Sequence, residues 1–313
     1  MAYKWIAKAV VQKVISFMPY REKLNYLFQR YVTHGVELND IYFGYKIQAA
    51  SDHVKYMRKY APEGILCNQA VLELGTGWYP VIPISMYLSG ALSVTSIDIR
   101  QWMNKKSVLT CIDKFIEWRD SGKLDNYLKV INDERWNTLI EISDRREELT
   151  EEQILDVLRF RTMVTDARNT GLPARSFDLI CSNNTFEHIY PAVLENILIE
   201  FKRLLKPGGI MSHHIDMSDH FAHFDTSITI YNFLKFSSRR WKTIDNRIQP
   251  QNRLRFVDFK EMYKNLGIPV TEEVIWEGSR EQLSLLKLAP EFNRYTRDEL
   301  AVSHAYLVSK FPD

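Results

Sequence analysis

The stretch Val71-Leu72-Glu73-Leu74-Gly75-Thr76-Gly77 decides how this chain is read. An apolar run carrying one acid breaks into Gly-x-Gly. Buried parallel strands read this way where they end in a tight turn beneath a bound nucleotide. A side chain at either glycine would hold the backbone away from such a ligand. Two glycines recur by chance, so the weight lies in what stands at fixed distances beyond them.

Ser93-Val94-Thr95-Ser96-Ile97-Asp98 is a second, β-branched run that ends in an acid. Asp98 follows Gly77 by 21 residues, near the roughly 20-residue spacing at which a second-strand carboxylate meets ribose hydroxyls. Phe177-Asp178-Leu179-Ile180-Cys181-Ser182 follows Leu172-Pro173 as a third run. Leu194, Ile197, Leu198, Phe201 and Leu205 then share one face of a helix. Lys206-Pro207-Gly208-Gly209 ends it, and a fourth run begins at Ile210. Strands alternating with helices predict an α/β fold with a parallel sheet.

Together these residues resemble the class I S-adenosylmethionine (SAM)-dependent methyltransferases, in their bacterial small-molecule and glycan branch. Glu73-Leu74-Gly75-Thr76-Gly77 resembles the family's first motif and Asp98 its ribose-binding acid. Thr165-Asp166-Ala167 with Leu172-Pro173 resembles its adenine-side loop, and Leu204 to Gly209 the turn before its fifth strand. The likeness covers roughly residues 65–217. It implies that Glu73, Gly75, Thr76, Gly77, Asp98, Asp166, Ala167 and Asn183 bind SAM. It also implies a Rossmann-like, seven-stranded, mostly parallel sheet with helices on both faces and the last strand antiparallel, plus helical insertions. Tyr79 departs from the pattern, standing where many members carry a third glycine. That missing glycine also argues against NAD.

Bulk properties fit a cytoplasmic enzyme. A chain of 313 residues can bury a substantial core. A net charge of +2 gives no argument for nucleic acid. Cys67, Cys111 and Cys181 are scattered and odd in number, as free thiols in a reducing compartment would be. No apolar run is long enough to span a bilayer.

The expected organisation is an N-terminal helical segment over 1–64, packing on a methyltransferase domain over 65–313. Trp5, Ile6, Ala9, Val10, Val14, Phe17 and Met18 form an apolar stripe interleaved with Lys4, Lys8 and Lys13. Such a basic amphipathic helix could make peripheral membrane contact. The ordinary reading, preferred here, is packing on the sheet or on a partner subunit, as in a homodimer. A second helical stretch around 47–60 leads into the first strand and could close over the cofactor.

Two segments are long for this family. The insertion at about 101–161 is helical in pattern, and Thr150-Glu151-Glu152-Gln153 reads as a capping box before Ile154, Leu155 and Leu158. It reads equally as a lid over the substrate and as a solvated insertion or oligomer contact. The segment at about 219–257 carries Arg239, Arg240, Arg247, Arg253 and Arg255 and should border the acceptor pocket. Those arginines could fork onto phosphate or carboxylate, or make ordinary ion pairs. A helix starts at Phe256 and ends near Gly267. Val270 to Trp276 and His304 to Ser309 read as the closing strands.

Methyl transfer asks the protein chiefly to align an acceptor. An oxygen acceptor also needs its proton removed. The run from Ser212 to Asp225, after the fifth strand should begin, holds four of the eight histidines. His214 is the first choice for a general base and His213 the second, with Asp216 orienting the imidazole or binding an acceptor hydroxyl. A divalent metal site is a competing reading, with His220 and His223 spaced three apart. The third is that these residues only cap, hydrogen-bond or face solvent. The base is preferred, and no residue is assigned as a metal ligand. Glu187-His188 resembles a pair found after the fourth strand in many small-molecule methyltransferases, and His188 either faces the pocket or holds a helix start.

The acceptor is read by elimination. Asn183-Asn184-Thr185 stands where amino-group methylators carry Asn/Asp-Pro-Pro-Tyr/Phe. No basic tail or aromatic stacking motif points to nucleic acid. The expectation is O-methylation of a small molecule or glycan. Because fold does not fix function, the alternatives are a non-catalytic SAM-binding scaffold and a metal-assisted sugar O-methyltransferase.

Overall fold

The computed structural model describes residues 4–21, 24–26, 28, 37–60 and 68–313; Cys67 lies outside them. Among the elements described in full, α1 (Lys4–Ile15) and α2 (Asp40–Tyr60) precede the sheet. The apolar run before the glycines is β1 (Ala70–Leu74), followed by α3 (Val81–Leu88) and β2 (Ser93–Asp98). An insertion of α4 (Lys105–Asp120), α5 (Asp133–Asp144) and α6 (Glu151–Val157) leads to β3 (Phe160–Val164). Then come β4 (Phe177–Asn183), α7 (Pro191–Leu204), β5 (Leu205–Asp216), α8 (Ser238–Ile244), α9 (Phe256–Asn265), β6 (Glu272–Glu277) and β7 (Val302–Lys310).

The strands form one seven-stranded sheet in the order β3-β2-β1-β4-β5-β7-β6. β1 to β5 run parallel, and β7 enters antiparallel between β5 and β6. This is the mostly parallel, Rossmann-like methyltransferase fold that the sequence predicts. Two details differ. β3, which closes the insertion, was not singled out, because it is short and only partly buried. β5 begins at Leu205, so the Pro-Gly-Gly turn lies within the strand, where its pairing with β4 is irregular.

Val71, Cys181 and Ile210 face a core filled by α2, α3 and the insertion. Leu72, Ile180, Met211 and Ile215 face a second core beneath α7 and α9. The strands are apolar on both sides because helices cover both sides. The insertion packs behind α2 through α4, while α5 and α6 bury only Leu139, Ile142 and Ile154. Val108, Cys111, Ile112 and Phe115 of α4 are fully buried. Phe43 of α2 meets Phe115 and Trp118 edge-on at 5.0 and 4.8 Å. Asp40 receives Lys114 and Lys123, which hold its carboxyl well below the usual range. The Thr150 capping box forms: Gln153 N–H donates to Thr150 Oγ1 at 3.2 Å, and Thr150 N–H to Gln153 Oε1 at 2.8 Å.

The segment after β5 builds a third core with Phe221, Tyr231, Phe233 and Trp241. It is this segment, not the sheet, that receives α1. Trp5 lies 5.9 Å from Phe221 and 5.7 Å from Phe236, and its N–H donates to Asp225 Oδ2 at 3.0 Å. The other face of α1 is exposed at Ile6, Val10 and Val14, and Phe17, just beyond its end, is 72% accessible. Among the described residues no helix is long and apolar enough to cross a membrane.

Candidate active site

The carboxyl ends of β1 and β2 shape a cleft of about 270 Å³ lined by Thr76, Gly77, Asp98, Trp102, Met163 and Val164. Gly75 has φ +86°, and its N–H donates to the Ile97 carbonyl at 2.9 Å. A Cβ there would lie 2.5 Å from Thr185 Oγ1. Gly77 has φ +70°, and a Cβ there would meet nothing within 4 Å. Neighbouring protein therefore demands the first glycine, while the second borders open space where a ligand backbone contact fits.

Asp98 ends β2 at the rim of this cleft. Its Oδ1 accepts from Trp102 Nε1 at 3.2 Å and from Arg100 N–H at 3.3 Å. Burial pushes its pKa up against those donors. Glu73 is buried, with Oε2 accepting from Ser96 Oγ at 2.9 Å, and burial lifts its pKa to about 7. Asn183 is also buried, and its amide has neither a donor nor an acceptor partner. Asp166 is not among the cleft-lining residues. Arg168 holds its carboxylate through Nε at 2.9 Å. Ala167 turns into the core beneath α7.

A second cluster of candidate residues lies where β4 and β5 finish. Register pairs Ser182 with His213 and Asn183 with His214. Successive strand residues point to opposite faces, so the two histidines part. His214 turns toward α2. Its Nδ1 lies 2.8 Å from Asn184 Oδ1 and 3.2 Å from Tyr45 Oη, and Tyr45 Oη donates to Asn184 Oδ1 at 3.0 Å. Tyr306 packs on the ring at 4.6 Å between centroids. Burial, then the neighbouring His304, lowers the His214 pKa to about 3.

His213 does not reach this site. It is fully buried on the opposite face, stacked on Phe186 at 4.3 Å, with Nδ1 2.8 Å from Ser182 Oγ. Burial holds its pKa well below the usual range. Asp216 does not orient His214 either. Its oxygens lie 3.3 Å from His220 Nε2 and 3.4 Å from His304 Nε2. Burial opposes its charge, but these imidazoles override it and hold the carboxyl well below the usual range. His188 sits in a short turn, Phe186–His188, with Nδ1 2.7 Å from the Pro250 carbonyl. Burial, then His220, lowers its pKa to about 4. His220 and His223 lie in a turn rather than on one helical face.

Thr185 joins the two ends, since its Oγ1 donates to the Leu74 carbonyl at 3.2 Å. Residues 125–212 match the family described as a methyltransferase domain. The chain carries a SAM-dependent methyltransferase domain. S-adenosylmethionine is its cofactor, and the cleft fits it: an open Cβ position at Gly77 and the Asp98 carboxylate at the rim.

Solved structures similar to this methyltransferase include a protein described as a sarcosine dimethylglycine methyltransferase from Galdieria sulphuraria, 13% identical, with 85% of each chain covered and a TM-score of 0.45. Another, described as an S-adenosylmethionine-dependent methyltransferase from Listeria monocytogenes, is 10% identical over 85% of this chain and 100% of that one, with a TM-score of 0.43. Phosphoethanolamine N-methyltransferase 2 from Haemonchus contortus, solved with S-adenosyl-L-methionine, is 12% identical over 92% of this chain and 59% of that one, with a TM-score of 0.45.

Sequence reasoning missed several groups in the methyltransferase site. Tyr45 arrives from α2, far from the motifs. Lys46 on the same helix acts electrostatically on Glu73, Glu187, His188 and His214, which bridges both ends of the site. Glu187 is buried with neither carboxylate oxygen hydrogen-bonded. The arginines of the 219–257 segment also read differently. Arg253 and Arg255 are buried and donate to backbone carbonyls, while Arg239, Arg240 and Arg247 are exposed.

Proposed function

We propose that this chain transfers the SAM methyl group to a hydroxyl of a small molecule or glycan. The observation that carries the reading is the Tyr45–Asn184–His214 cluster, placed at the ends of β4 and β5 and tied to the glycine turn through Thr185. The Asn184 oxygen can only accept, so His214 carries its hydrogen on Nδ1 and keeps the Nε2 lone pair for a proton.

Bound SAM supplies an already activated methyl group. Glu73, Gly75, Thr76, Gly77, Asp98 and Asn183 are assigned to hold it, with Asp166 and Ala167 shaping the adenine-side loop. The methyl carbon would pass from the SAM sulfur to the acceptor oxygen, leaving S-adenosylhomocysteine, and His214 Nε2 would take the hydroxyl proton. A depressed pKa makes His214 a weak base, but it keeps the ring unprotonated at neutral pH. Asp216 and His188 border this end and are assigned to acceptor binding.

The test is S-adenosylhomocysteine formation across a library of hydroxylated acceptors, alongside SAM binding by calorimetry. Turnover confined to hydroxyl acceptors supports the proposal. SAM binding without turnover on any acceptor favours a scaffold. Turnover on amines alone overturns the O-methylation reading.

A further inference from the structure

We propose that Glu187, His188 and His220 form a binding site for a divalent first-row transition-metal ion. One ligand atom from each lies within 4.8 Å of those of the other two. An ion about 2.0–2.2 Å from each can span that triangle after a small contraction. The cluster assembles because the turn after β5 brings His220 beside the turn after β4. The two imidazoles meet edge-on, with centroids 4.8 Å apart.

Three further observations point to a ligand. Both Glu187 oxygens are buried without a hydrogen-bond partner, which is costly for a carboxylate unless a cation or proton meets it. His220 Nε2 is also buried and makes no well-formed hydrogen bond, its neighbour being Asp216 Oδ2 at 3.3 Å. His188 donates from Nδ1 to the Pro250 carbonyl at 2.7 Å, since a carbonyl only accepts. That bond fixes the tautomer and leaves Nε2 with the lone pair, as second-shell carbonyls do for metal-bound histidines. Asp216 Oδ2, 3.3 Å from His220 Nε2, adds negative charge beside the cluster.

The donor set selects the ion. Two imidazoles with one carboxylate suit zinc, cobalt or iron(II); magnesium and calcium prefer oxygen alone. A small pocket beneath α1 is lined by His220, Lys8, Gln12 and Gln251. His223 is placed outside the set. It is exposed, with Nε2 3.1 Å from Ser218 Oγ. The site does not depend on the hydroxyl-acceptor reading.

The test uses chelator-treated, dialysed full-length protein. Zinc and cobalt are titrated by calorimetry, cobalt also by visible absorption, with magnesium as the control ion. The expected result is one zinc or cobalt ion per chain and no magnesium binding in the same range. Glu187→Gln, His188→Gln and His220→Gln should each weaken zinc binding at least tenfold and change the cobalt spectrum, while His223→Gln should do neither. Absence of stoichiometric binding to the wild type overturns the site, as does unchanged affinity in His220→Gln. Melting curves check each variant, and if Glu187→Gln does not fold, His220→Gln decides. No readout involves methyl transfer, so failure of the acceptor reading leaves this result intact.

Discussion

Asn184 holds His214 twice: its backbone N–H donates to the His214 carbonyl at 3.0 Å, and its Oδ1 meets the ring Nδ1 at 2.8 Å. Asn184 has φ +50°, a left-handed conformation that asparagine tolerates better than most residues. The ring is thus fixed in orientation and tautomer by one residue. His214→Ala should lower kcat by roughly 10²–10⁴, the usual worth of general acid–base catalysis, with SAM affinity retained. Because the His214 pKa lies at about 3, its titration should leave kcat/KM flat between roughly pH 5 and 8. Steady-state kinetics across that range checks both. A limb near pH 6.5 that disappears in His214→Ala would contradict the depressed pKa.

Buried histidines set the acid limit of stability. His53 and His214 have pKa values of about 3, His188 of about 4, and His213 lies well below the ordinary value. Burial is the main cause at each. Below about pH 6.5 the unfolded chain binds protons there that the folded chain refuses, so stability falls as pH falls. Glu73, raised by burial to about 7, works in the opposite direction between about pH 7 and 4.5, and Glu187, also raised by burial, works in the same direction as Glu73. The histidines, whose ordinary pKa falls inside this range, set the sign, and each net proton is worth about 1.4 kcal/mol per pH unit. The Tm of metal-free protein should fall from pH 7 to pH 5, with a shallower slope in His213→Gln. Scanning calorimetry at several pH values tests this, and a Tm that rises on acidification refutes it.

The two glycines of the turn should fail differently. Gly75→Ala drives a Cβ to 2.5 Å from Thr185 Oγ1 at φ +86°, and overpacking with backbone strain should cost about 2–4 kcal/mol of stability. Gly77→Ala has open space around it, so it should lose only about 1–2 kcal/mol while weakening SAM binding. Asp98→Ala should leave the fold intact and weaken SAM binding by about 1.5–3 kcal/mol, the range for hydrogen bonds to a charged group. Denaturant melts and calorimetric SAM titrations separate the three. Wild-type SAM affinity in a folded Asp98→Ala would remove that residue from the ribose role.

Arg255 should matter as a strut. It is fully buried, and its guanidinium donates to the carbonyls of Met217 (2.7 Å), Leu300 (3.1 Å) and Val302. Burial lowers its pKa to about 10, so it remains charged at neutral pH. Arg255→Met would strand those carbonyls and should cost about 3 kcal/mol or more, at about 1–3 kcal/mol for each unsatisfied group. Hydrogen exchange should rise first around Met217 and Val302. A loss under about 1 kcal/mol would show that water replaces the strut.

How much of this was legible follows from what each residue must do. The glycine turn, Asp98 and the order of elements were readable because backbone conformation and strand endings restrict residue type locally. His213 and His214 could not be told apart. β5 is buried on both faces, so no alternation of polar and apolar residues marks which histidine turns inward. The partners of Asp216 were hidden for a related reason: His304 reaches it through the antiparallel register of β7, which no local pattern encodes. Tyr45 and Lys46 depend on where α2 docks, and that is set by its packing on the insertion. The burial of Arg253 and Arg255 likewise needs the whole third core.

The placement of β7 also shapes how this protein must be made. During synthesis β5 emerges early, yet the neighbour that closes its free edge follows only after residues 217–301 have left the ribosome. β6 pairs only with β7 among the described strands, so it waits as well. For that interval the nascent chain carries an open, parallel-sheet edge, the kind of surface on which strands of other molecules pair. Ser212, His213, His214 and Asp216 interrupt the apolar character of that edge strand. The polar residues of β5 thus also temper the chain's tendency to aggregate before it is complete.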